Sequence, residues 1–69
     1  MDVYDAKTAR ELAASWRSHG KRGARLLDQF ADDQMVCARL ARDLGRVGEA
    51  LDHEAAAREL VVIAAAMTA

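Results

Sequence analysis

No proline interrupts this chain of 69 residues. Proline costs about 3 kcal/mol in a helix interior and is the strongest single stop signal. Its absence leaves glycines and short polar residues as the only punctuation. Between them lie alanine, leucine, arginine and glutamate, all strong helix formers. The sequence therefore predicts an all-α fold.

Apolar spacing divides that helix into segments. Ala9, Leu12, Ala13 and Trp16 recur at three- and four-residue intervals, which marks one buried face. Asp5 is placed to cap the start of this helix, and Gly20, after Ser18-His19, to end it in a left-handed conformation. From Lys21 onward, Leu26, Leu27, Phe30 and Ala31 form the next stripe, with Gly23 weakening its first turn by about 1 kcal/mol relative to alanine.

Asp32-Asp33 either caps a new helix near Gln34 or lies on the wet face of one helix running to Leu44. Leu27, Phe30, Gln34, Cys37, Ala41 and Leu44 keep helical phase across the pair, which favours the continuous helix. Gly45 poses a similar choice, since Leu40, Leu44, Val47 and Leu51 hold phase through it. A last helix is expected from Asp52 or His53, with Ala56, Leu60, Ile63, Ala64 and Met67 as its stripe. The expected architecture is one domain over residues 1–69: a bundle of three helices, or four if an ambiguous site breaks the chain.

Size limits what such a bundle can do alone. A single core below about 70–80 residues rarely supplies more than about 3–5 kcal/mol. Cys37 is the only cysteine, so no intramolecular disulfide forms, and Cys37, His19 and His53 fall short of the four ligands of a structural zinc site. Although 52% of residues are hydrophobic, Trp16, Tyr4 and Phe30 are the only aromatics. Yet Leu60-Val61-Val62-Ile63-Ala64-Ala65-Ala66-Met67 is apolar all round, and a helix without a polar face is buried on several sides. The two facts together predict self-association or docking on a partner through Leu60, Val61, Val62, Ile63 and Met67, with Trp16 and Phe30 organising the core.

Charge is unevenly spread. Residues 1–25 carry six cations against three acids, a net +3, and residues 26–69 carry four against eight, a net −4. Arg17, Lys21, Arg22 and Arg25 form the densest basic cluster, a candidate contact for an anion or nucleic acid. An antiparallel homodimer would lay this basic end on the partner's acidic half. The overall charge of −1 favours neither nucleic acid nor an acidic membrane. No stretch reaches the roughly 18 apolar residues of a membrane helix, and Met1-Asp2-Val3-Tyr4-Asp5 lacks the pattern of a signal peptide. A cytoplasmic protein is expected. The preference for arginine over lysine, with abundant alanine, suggests a high-GC bacterium or its phage.

No spacing of Ser, His, Cys, Asp or Glu suggests a catalytic site, and no cofactor is expected. His53 and Glu54 are adjacent on a helix and so point about 100° apart; His53 reads as an exposed residue at a helix start. Cys37 reads as a buried structural thiol. Leu40-Ala41-Arg42-Asp43-Leu44-Gly45, with Leu51, resembles the first half of a helix-turn-helix DNA-binding motif. Its recognition helix would then be Gly48 to Ala57, which carries Glu49, Asp52 and Glu54 and no basic residue. Leu44, Gly45, Ala57, Val61 and Ala64 also resemble the pattern of a tetratricopeptide-type hairpin, but Gly48 stands where that repeat has a large residue. The chain is assigned to neither family. The function expected is a non-enzymatic interaction module, an adaptor or inhibitor of a protein partner that also forms a homo-oligomer. The alternative is a small nucleic-acid-binding regulator using the basic cluster.

Overall fold

A computed structural model describes residues 6–68. Helix α1 spans Ala6–Trp16, α2 spans Gly20–Asp43 and α3 spans Val47–Met67; a single 3-10 turn, Arg17–His19, joins α1 to α2. The described residues contain no strand. The all-α expectation holds, but the expected bundle of three or four separate helices does not. Helical backbone continues from Ala6 to Asp43 with one sharp bend, and Leu44–Arg46 is the only non-helical interruption before Val47. The described residues thus form two helical stretches, the first folded on itself.

The bend has a clear cause. Gly20 adopts φ 58°, ψ −137°, a region that only glycine enters cheaply. Three residues into α2, Gly23 is buried beneath the end of α1. A Cβ added there would lie 2.3 Å from the Trp16 carbonyl oxygen and 2.8 Å from the Met67 methyl carbon. Gly23 therefore does more than weaken a helix turn. It lets the two helical segments and the end of α3 meet.

Asp32 and Asp33 do not break α2. Both are exposed, while Ala31, Gln34, Cys37, Ala38 and Ala41 continue the buried stripe on the other side. The helix ends instead at Gly45, which sits at φ 75°. Its N–H donates to the Arg42 carbonyl (2.9 Å), and the Arg46 N–H donates to the Ala41 carbonyl (2.8 Å). These are the paired bonds of a Schellman motif, which satisfy carbonyls that the helix end would leave open. Helix α3 then begins at Val47, several residues before the expected Asp52 or His53, so its first two turns belong to the hairpin. The Asp5 cap falls outside the described residues.

Helix α3 runs back along α2. Arg42 meets Glu54 and Gln34 meets His53 near one end, and Gly23 approaches Met67 at the other. Helix α1 lies parallel to α3: Ala6 and Lys7 sit beside Asp52 and His53, Arg10 pairs with Glu59, and Trp16 ends near Met67. The molecule measures 37 × 20 × 15 Å.

The core is built largely from alanine. Ala9, Ala13, Ala24, Leu27, Ala31, Ala57, Leu60 and Ala64 form its main cluster, with Trp16, Phe30, Ile63 and Met67 packed at its edge. Leu27 and Leu60 are the largest apolar side chains completely enclosed. Trp16, expected to anchor the core, instead lies half-buried at the bend, its ring tilted against His19 at a centroid distance of 4.6 Å. A second, smaller cluster of Ala38, Ala41 and Ala50 lies toward the Gly45 turn, beyond the reach of α1.

Candidate interaction surface

The expected contact residues on α3 separate according to helical phase. Leu60 is fully enclosed between the helices and touches no solvent. It is core and not contact surface, which corrects the expectation. Ile63 and Met67 are half-buried against the same core. Only Val61 and Val62 stand out, at 49% and 67% exposure. A helix apolar all round is therefore buried on one side only here, because 69 residues supply just two neighbouring helical segments.

The sequence reading missed most of the exposed apolar surface. Met35, Val36, Leu40, Leu44, Val47 and Leu51 are all about half exposed or more. Together with Val61 and Val62 they are the large hydrophobics that the described fold leaves in water. All lie on α2, α3 or the turn between them, and none lies on α1. The signal was available in the sequence. Helix α2 carries apolar residues at Met35, Val36 and Leu40 as well as at Leu27, Ala31, Cys37 and Ala41, more than one buried stripe can hold.

These side chains form two areas on opposite flanks of the hairpin. One is a shallow groove of about 400 Å³ between α2 and α3, lined by Ala31, Asp32, Met35, Ala57, Arg58, Val61 and Val62. At neighbouring hollows it continues toward Val36, Arg39 and Arg42 in one direction and Arg17 and Ile63 in the other. The second area lies near the Gly45 turn, where Leu40 and Leu44 adjoin Cys37, Glu49 and His53. Single exposed hydrophobics are ordinary on a protein surface, but contiguous ones mark contact sites.

Polar groups fix how the hairpin is registered. Gln34 occupies a core position of α2, and its Oε1 accepts a hydrogen bond from His53 Nδ1 at 2.7 Å. His53 is thus a half-buried α3 residue tied across the hairpin, and not the exposed helix-start residue expected. Arg42 Nε donates to Glu54 Oε1 at 2.9 Å at the edge of the groove. Arg10 and Glu59 form a two-pronged pair between α1 and α3, and the hydrogen bond to Glu59 pushes the Arg10 pKa above its usual value.

Arg17, Lys21, Arg22 and Arg25 are all exposed around the bend, as a patch would require. None of the four forms an ion pair with another described residue. The segment from Gly48 to Ala57, the would-be recognition helix, packs along α2 with Ala50, Ala56 and Ala57 buried. It carries no cation to offer to phosphate.

Cys37 is buried, and desolvation raises its thiol pKa. A protonated, enclosed thiol is a poor nucleophile. Among the described residues, no three His, Cys, Asp or Glu side chains gather as a metal site. No described helix is long and apolar enough to cross a membrane. The fold defines a small, all-helical protein whose most distinctive surface is apolar. No family model, curated protein or solved structure matches the chain.

Proposed function

We propose that this protein is a non-enzymatic interaction module that works by apolar contact with other protein surfaces, as an adaptor or inhibitor. The observation that carries this reading is the row of half-exposed large hydrophobics on α2 and α3, left open after α1 has covered the other side. Water contact with so much apolar surface is unfavourable by roughly 25 cal/mol for each Å² that a partner could cover. Val61 and Val62, with Met35 and Val36 across the groove, would carry the contact.

The test uses the tagged chain incubated with extract of the organism it comes from, beside a Val62→Glu variant. Val62 is the more exposed valine of the pair, so the variant should keep its helical signal. A protein retained by the natural chain and lost from the variant is expected. Identical retained proteins on both, or none on either, would refute the reading. The open basic patch favours a second reading, nucleic-acid contact through Arg17, Lys21, Arg22 and Arg25. In that case duplex or single-stranded nucleic acid should bind with an affinity that falls steeply with salt; no binding at low salt would remove it.

A further inference from the structure

Along the outer side of α2, Asp32, Met35, Val36 and Arg39 fall at positions i, i+3, i+4 and i+7, one line down the helix. All four are exposed. The order along that line is acid, apolar, apolar, base. Turned end for end, it reads base, apolar, apolar, acid, which is its own complement. A two-fold axis through the midpoint of Met35 and Val36 sets Met35 on the partner's Val36 and Asp32 on the partner's Arg39, and repeats both contacts. That reciprocity is what an isologous dimer requires.

We propose that this protein forms an antiparallel homodimer, in which α2 of one copy packs on α2 of the other through Asp32, Met35, Val36 and Arg39. The proposal rests on the apolar-contact reading above and names the first occupant of that surface, a second copy of this chain.

Size agrees with this arrangement. A stable interface buries about 800 Å² on each partner, roughly a sixth of the 4712 Å² of this chain's surface. Helix α2, at 24 residues, runs the 37 Å length of the molecule, and a side 20 Å wide along that length supplies such an area. The neighbouring groove, with Val61 beside Met35, widens the apolar centre.

Light scattering after size exclusion, over a dilution series, measures the association. The natural chain is expected to move between 7.5 kDa and twice that mass. Met35→Glu places two carboxylates at the centre and should weaken association by about a hundredfold or more, since each buried unpaired charge costs several kcal/mol. Circular dichroism on the same samples should show unchanged helicity, because Met35 is half exposed.

Charge exchange then reads the pairing itself. Asp32→Arg and Arg39→Asp should each weaken the dimer by about fivefold, the scale of exposed ion pairs lost and reversed. The two changes together should restore it. Asp32 and Arg39 are seven residues apart, too far for a direct pair within one helix, so rescue reports contact between copies. A dimer unaffected by Met35→Glu but dissociated by Leu44→Glu would overturn this face while leaving self-association standing. A monomer at every concentration would overturn the dimer, and the capture by the natural chain over Val62→Glu would still decide the broader reading.

Discussion

The two ends of the α2–α3 hairpin differ in how well they are covered. At the bend end, α1 lies across both helices and closes a core centred on Leu27 and Leu60, with Trp16, Phe30, Ile63 and Met67 around it. At the Gly45 end only Ala38, Ala41 and Ala50 are buried together, while Leu40, Leu44, Val47 and Leu51 face solvent. The helices are equally regular at both ends. The difference lies in the third layer. Two helices bury one stripe each, and a third is needed before a flanking leucine finds cover.

That contrast predicts a gradient in the cost of mutation. Leu60→Ala should be the most damaging change, at about 2–5 kcal/mol. A domain of this size commands about 3–5 kcal/mol in total, so thermal or urea unfolding should find the variant mostly unfolded. A variant as stable as the natural chain would mean that the bend end is not the centre of stability.

Gly23→Ala comes next. The added carbon must push against the Trp16 carbonyl, which is backbone and cannot swing aside. Overpacking of this kind costs about 1–3 kcal/mol, readable as a lower urea midpoint. If alanine, the better helix former, instead stabilises the protein, the close approach of α1 to α2 is wrong.

His53→Ala sits between the two regions. It removes the bond that Gln34 Oε1 accepts at a core position, a loss of about 1 kcal/mol. Changing both residues, as in Gln34→Leu with His53→Leu, should recover much of that loss, because an apolar pair leaves no polar group stranded. Failure to recover would show that Gln34 does more than set the register.

The smallest effect belongs to the Gly45 end. Leu44→Ser removes a side chain that is 69% exposed and should change stability by less than about 0.5 kcal/mol. Hydrogen exchange should follow the same order, with amides of residues 60–64 protected longer than those of 47–51. Equal protection at both ends would mean that the Gly45 end is covered in solution.

How far the residues alone could be read follows from range. Capping and phase are local, so the all-α class, the continuity of α2 past Asp32-Asp33 and the turn at Gly45 were within reach. The start of α3 was not, because Val47 and Gly48 are poor helix starters and both stay exposed, while the packing in that first turn is made by Ala50 against Ala38 and Ala41. The proposed contact residues divide into enclosed and exposed for a related reason. The run from Leu60 to Met67 shows that something must be buried, yet its apolar sides look alike in sequence, and only the neighbouring helices distinguish Leu60 from Val62.

The sequence by itself determined that this chain is helical, that a helix ends at Gly20, that Gly45 is either a helix end or a point of close approach, and that the run from Leu60 to Met67 is apolar on every side. These depend on backbone preference and on counting. The tertiary structure alone decided which apolar side chains stay wet, that Gln34 and His53 meet, and that Gly23 must be glycine. The first and the last depend on where α1 lies on the hairpin, and the second on the register of α2 against α3. An eleven-residue helix covers only one flank of it, toward the bend.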